Sequence, residues 1–365
     1  MMRVVISYAV GGSTSVAVNA VLRNALKYTD SPIVVHVSQG SPTWSVDYNR
    51  TVSHKRMHVN PTHLLVVKHT PSILLAHISN WRFCEGRIHL CNDIHGRFVL
   101  MSANSVLFRP GLERFAASHS HAAQGGCTVS GANSRPGMTA DSVWDKALKV
   151  VQWDEEISAH DASRQPHVNH HGNLSAHDRS VLARWGRPVW NLLASRTPPG
   201  WSASPISMGR HEGTFYAFGT MRKFVRAFDG SIFAQAAQLQ QDRAKCDCYC
   251  FLYNGTACAI NPWTGNTKFA VEHGCLGGCT FEELLLPSFA AQQSTTEAWK
   301  HAPPPAILHV SDISLADWHA DRNTTMLLHE LTHKIAASSQ LQHVFGVKVP
   351  RHSFIQVERM LLKTY

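Results

Sequence analysis

Two hydrophobic periodicities alternate through the first 115 residues, and this alternation constrains the fold more than any other feature of the chain. "RVVISYAV" (residues 3–10) is a continuous apolar run of strand length, and "SPIVVHVS" (31–38) is another. Between them "STSVAVNAVLRNALKY" (13–28) places Val16, Ala20, Leu22 and Leu26 at helical spacing behind a serine cap. A third strand is expected in "THLLVVKH" (62–69). The next helix opens in "TPSILLAHISNWRF" (70–83), with Thr70 as cap and Pro71 in the first helical position. "RFVLMSAN" (97–104) and "RPGLERFAAS" (109–118) add a further strand and helix. Strands that alternate with helices predict an α/β fold: a mainly parallel sheet with helices on both faces, and a ligand at the carboxyl ends of its strands.

The order breaks after residue 115. Residues 116–185 are rich in His, Ser, Asn and Gly and lack periodicity, apart from one short helix near "SVWDKALKVVQW". They read as an insertion in one large domain whose halves are residues 1–115 and 186–365. In the second half "GTFYAFGTMRKFVRAF" (213–228) and "FAQAAQLQQDRAK" (233–245) carry helical spacing. With 44% hydrophobic residues in 365, the chain can bury a core. Its net charge of +9 comes from scattered Lys and Arg rather than runs. That suits a small anionic ligand, and the clusters of basic residues interleaved with stacking aromatics that mark a nucleic-acid binder are missing.

Six of nine cysteines lie between Cys246 and Cys279, spaced C-x-C-x-C and C-x3-C. Zinc knuckles use paired C-x-x-C units, so disulfides are the expected reading there. Cysteines and four N-x-S/T sequons, at Asn49, Asn173, Asn254 and Asn323, point to the lumen of the secretory pathway. No apolar stretch reaches the roughly 18 to 20 residues of a membrane span. Membrane attachment would therefore need an anchor upstream.

"HELTH" (329–333) matches H-E-x-x-H. On a helix His329 and His333 share a face that could hold zinc, with Glu330 positioned to activate a bound water, which gives a zinc metallopeptidase as the alternative function. Zinc needs a third protein ligand, and His343, His352 and Glu358 downstream form no known ligand pattern. The same residues fit a surface helix that buries Leu327, Leu328, Leu331 and Ile335.

The ordered segments "IVVHVS", "VNPTHLLVVKHTPSILLAHISNWRF", "FVLMSANSVLFRPGLERF", "RHEGTFY", "CTFEELLLPSF" and "FGVKVPRHSF" carry a further signal. Together they resemble the core-2/I-branching-like glycosyltransferases, the group of β-1,6-N-acetylglucosaminyltransferases and peptide O-xylosyltransferases. The resemblance spans most of the chain outside the insertion. It implies a GT-A-like fold, a nucleotide-sugar donor that is UDP-linked, a glycan or glycoprotein acceptor, Golgi residence, and inverting transfer without a metal or other cofactor. The sequence agrees on one point. Metal-dependent sugar transferases hold a divalent ion with an Asp-x-Asp pair, and no D-x-D occurs here.

Carried over residue by residue, the resemblance implies that Lys348 and Arg351 neutralise the donor diphosphate in place of the ion. Arg supplies a planar fork and Lys a mobile point charge. It implies Glu283, with Glu282 beside it, as the general base that takes the proton of the attacking hydroxyl. It places Glu212 and Tyr216 at the acceptor. For the donor, the strand ends offer Val10, Gly11 and Gly12 after the first strand and His36 and Ser38 after the second, with Asn104 and Arg109 beyond "RFVLMSAN". A G-x-G-x-x-G fingerprint is absent, which argues against NAD.

Overall fold

The computed structural model describes residues 2–10, 15–39, 46–64, 72–119, 122–124, 128–129, 206–207, 210–228, 285–293, 306–309 and 344–348. The first strand, β1 (Val4–Val10), is wholly buried. It is followed by α1 (Ser15–Tyr28), β2 (Ile33–Val37), α2 (Val46–Val52), β3 (Met57–Val59), α3 (Ser72–Gly86) and β4 (Arg97–Ser102). The order β3-β2-β1-β4 is parallel throughout. The chain thus walks outward from β1 through β2 to β3 and then returns to the other side of β1. Such a reversal opens a crevice at the carboxyl ends of the two strands that flank it, here β1 and β4.

The sheet continues with β9 (Arg210–Ala217), antiparallel to β4, and β6 (Ala122–Gln124), antiparallel to β9, so it is a mixed six-stranded sheet. A short pair joins β7 (Thr128–Val129) to β8 (Ile206–Ser207). After β4 the chain forms β5 (Ser105–Leu107) and α4 (Leu112–Ser118). Far downstream β10 (Ile307–His309) lies parallel to β11 (Gly346–Lys348), which pairs antiparallel with β5. Sheet formation therefore joins residues from all three sequence segments. These elements establish the α/β class.

Period-two burial sorts the two faces of the sheet. Val4, Ile6, Tyr8 and Val10 of β1 join Ile33, Val35 and Val37 of β2 and Val99 and Met101 of β4 in one core with α1 and α4. The α1 stripe is Val18, Val21, Leu22 and Ala25, while Val16 is 60% exposed. The expectation that Val16 faces the core is thus corrected: the buried face of the helix is rotated away from it.

The opposite face of the sheet carries α3 and a buried polar network. Ser7 Oγ lies 2.8 Å from His77 Nδ1, and the Asn80 amide donates to Ser7 Oγ and to the carbonyls of Tyr8 and Val34. Asn60 then donates to Asn80 Oδ1 and Ser79 Oγ. Linked in this way, the buried amides and the Ser7 hydroxyl bond to one another and to strand carbonyls. Trp81 packs edge-on against Phe98 and Phe218 at centroid distances of 5.4 and 5.5 Å. Gly96 is required beside them, because a Cβ there would lie 2.2 Å from Phe218 Cε2. A Cys84–Cys91 disulfide closes the turn after α3, and Arg222 pairs with Glu85 and donates to the carbonyls of Cys91 and Asn92.

Two expected elements differ. "RHEGTFYA" is the strand β9, and the helix α5 covers only Phe218–Ala227. The apolar spacing of 213–228 fits a helix locally, but pairing to both β4 and β6 overrides it. The third parallel strand among the described residues is Met57–Val59, which precedes the expected run at 62–69. Thr62–Leu64 has no regular structure, and residues 65–69 lie outside the described residues, as do Thr70 and Pro71. The last helix described, α6 (Leu286–Gln293), sets Phe289 against Phe224 and Phe228 of α5. No helix among the described residues is long and apolar enough to cross a membrane.

Candidate functional site

Register brings three of the strand ends into one row. Ala9 of β1 is the partner of His36 on one side and of Ser102 on the other. The same edge is closed by the Ser38 N–H, which donates to Val10 O at 2.7 Å. Val10 and Ser38 are both buried.

His36 is buried and held from behind. The N–H of Leu64 donates to its Nε2 at 2.9 Å, and His63 Nδ1 lies 3.2 Å from the Val37 carbonyl. With Nε2 accepting, a neutral ring carries its proton on Nδ1, which is buried and has no hydrogen-bond partner among the described residues. Burial pushes the His36 pKa down to about 4, and the neighbouring His63 pushes the same way. His36 is therefore a buried neutral imidazole at the carboxyl end of β2.

Beyond β4, Ser102 Oγ donates to Asn104 Oδ1 at 2.7 Å and lies 3.1 Å from Ser105 Oγ. Asn104 is nine-tenths buried. This turn leads into β5, where Ser105 is the register partner of Lys348 on β11. Position 346 accepts only glycine without rearrangement: a Cβ there would lie 2.6 Å from the Val106 carbonyl and 2.8 Å from Ile307 Cδ1. The Leu107 end of β5 is held by α1, where Asn24 donates to the Leu107 carbonyl at 2.9 Å and accepts from its N–H at 2.8 Å. One buried side chain thus replaces a missing strand neighbour.

The Lys348 ammonium forms an ion pair with the Glu212 carboxylate. Glu212 lies in the half of β9 that runs toward the carboxyl ends of the parallel strands. The β6–β9 register shifts between Ala122 and Gln124, so β9 carries extra residues there, and Gly213 takes a φ of 77°. Such bulges re-aim a side chain out of the ladder, and the left-handed backbone at 213 favours glycine. The Glu212 side chain is 2% exposed and that of Lys348 18%. The cation is thus at the outer side of the pair.

Val10, His36, Ser38 and Asn104 thus lie along the strand ends at one edge of the sheet, and Lys348 pairs with Glu212. Arg109 has its guanidinium 5.2 Å from the Phe108 ring, and its backbone N–H donates to the Phe345 carbonyl. Tyr216 is the register partner of Phe98, fully buried within the sheet, and burial pushes its pKa up. Gly11, Gly12, Glu282, Glu283, Arg351, His329, Glu330 and His333 lie outside the described residues, as does the Cys246–Cys279 segment.

Asn24, Asn60, His77 and Asn80 were given no role by sequence reading. The one signal for Asn24, His77 and Asn80 was a polar side chain placed among apolar residues of a helix, as in "SILLAHISNW", and Asn60, just past β3, had none. No protein-family model matches the chain, and no curated protein matches it.

Proposed function

We propose that this chain is an inverting, metal-independent glycosyltransferase with a GT-A-like fold. Its donor would be a nucleotide sugar, UDP-linked, and its acceptor a hydroxyl of a glycan or glycoprotein. One observation carries the reading: β11 sets Lys348 beside the turn that follows β4, at the crevice where a parallel sheet takes a nucleotide, and in contact with Glu212. A cation at that edge suits a diphosphate. His36 and Ser38 lie at the end of β2, the edge of the sheet where a base or ribose would sit. The Cys84–Cys91 disulfide fits an oxidising lumen.

In the proposed reaction the acceptor oxygen attacks the anomeric carbon on the face opposite the nucleotide, and its proton passes to Glu283. The bond from the anomeric carbon to the diphosphate oxygen breaks, and the electron pair leaves with UDP. Lys348 and Arg351 stabilise the charge that collects there. A single displacement inverts the anomeric configuration.

The test is transfer or hydrolysis of UDP-sugars in excess EDTA. The reading expects turnover to survive chelation and Glu283→Gln to reduce it by about a hundredfold or more, the scale of a lost general base. Turnover that requires a divalent ion, or that persists unchanged in Glu283→Gln, would overturn it.

A further inference from the structure

We infer that Asn49, in the sequon Asn49-Arg50-Thr51, carries an N-linked glycan that is added in the secretory lumen before α2 folds. The inference is independent of the transfer reaction proposed above. It needs only that the chain passes through that lumen, and the Cys84–Cys91 disulfide fits the same route.

A sequon is read through two groups at once, the amide of its Asn and the hydroxyl of its Thr. Both lie on α2 (Val46–Val52), where successive residues turn by about 100°, so residues two apart point to opposite sides. Asn49 is accordingly exposed, and Thr51 is buried at 6% exposure. The Thr51 hydroxyl donates to Asn19 Oδ1 on α1, a residue that is itself 3% exposed. Ser53 closes the end of the helix, donating to the Asn49 carbonyl from its N–H at 3.1 Å and its Oγ at 2.7 Å.

On the folded helix the two groups therefore face apart, one to solvent and one against α1. An extended chain presents both to the same enzyme. The order follows from this: the sequon is read first, and folding then turns Thr51 inward and leaves the modified Asn49 on the surface, where a bulky polar glycan meets no packing. Asn173, Asn254 and Asn323 lie outside the described residues.

The donor would be a lipid-diphosphate-linked oligosaccharide. The Asn49 amide nitrogen bonds to the anomeric carbon and loses a proton. The bond from that carbon to the diphosphate oxygen breaks, and its electron pair leaves with the lipid diphosphate.

The experiment directs the full chain into the lumen of a eukaryotic cell and digests the lumenal fraction with peptide N-glycosidase in heavy-oxygen water, which turns a glycosylated Asn into a labelled Asp. Peptide mass spectrometry should find the label at position 49. The label should be lost in Asn49→Gln and in Thr51→Ala, which keeps the asparagine, and retained in Thr51→Ser. An unlabelled Asn49 in the wild type overturns the site, as does a label that survives Thr51→Ala. For the order, unglycosylated chain made in bacteria is given purified oligosaccharyltransferase and lipid-linked donor, either folded or freshly diluted from denaturant. The label at Asn49 is expected in the diluted chain and lost in the folded one; equal labelling overturns modification before folding.

Discussion

Acid should destabilise this protein through His36 by an amount that can be worked out. The imidazole has an ordinary pKa of 6.5 when unfolded and about 4 when folded, chiefly because it is buried. Above pH 6.5 it is neutral in both states and has no effect on stability. Between pH 6.5 and 4 the unfolded chain takes up a proton that the folded chain refuses, so stability falls as pH falls. Below pH 4 both states are protonated and the full loss is reached. At about 1.4 kcal/mol for each tenfold change in proton affinity, that loss is about 3 kcal/mol, of which most is present by pH 4.5. The matching perturbation is His36→Gln, whose amide can still accept from the Leu64 N–H but does not titrate. Urea unfolding of both proteins at pH 7.5 and 4.5 isolates the contribution. Other titrating groups, including His58, whose pKa is also lowered by burial, act alike in the two chains. The wild type should lose about 2 to 3 kcal/mol more than the variant over this range. Equal losses would refute a buried neutral imidazole at the end of β2.

Two further substitutions examine how the site is held. Gly346→Ala forces a Cβ against the Val106 carbonyl and Ile307, and should cost about 1 to 3 kcal/mol in chemical denaturation and weaken UDP binding by displacing Lys348. Asn24→Ala leaves the buried N–H and carbonyl of Leu107 without that partner, and should lower stability by about 2 kcal/mol or more, read as a shift in the denaturation midpoint at constant m.

The parallel half of the fold was legible because β1, β2 and β4 are apolar runs buried on both faces, separated by helices with clear spacing. Local pattern failed where a distant partner decides. Residues 213–217 are apolar enough to extend the α5 stripe, and only pairing with β4 and β6 makes them strand. β3 is three residues long, too short to outcompete the stronger apolar run that follows it in sequence. Val16 joined an apparent helical stripe because apolarity alone does not fix the rotation of α1 against the sheet. Within the candidate site, a lysine and a glutamate 136 positions apart in sequence met in space, whereas their mutual contact had no local sign. The buried amides of Asn24, Asn60 and Asn80 were equally hidden, since the need they meet arises from backbone groups elsewhere in the fold.

The most direct measurement is a crystal structure of the chain with UDP bound in the presence of chelator. The account predicts the nucleotide across the carboxyl ends of β1, β2 and β4, with a diphosphate oxygen about 3 Å from Lys348 Nζ and no divalent ion between them. UDP bound elsewhere, or Lys348 still on Glu212 with the diphosphate out of its reach, would contradict it.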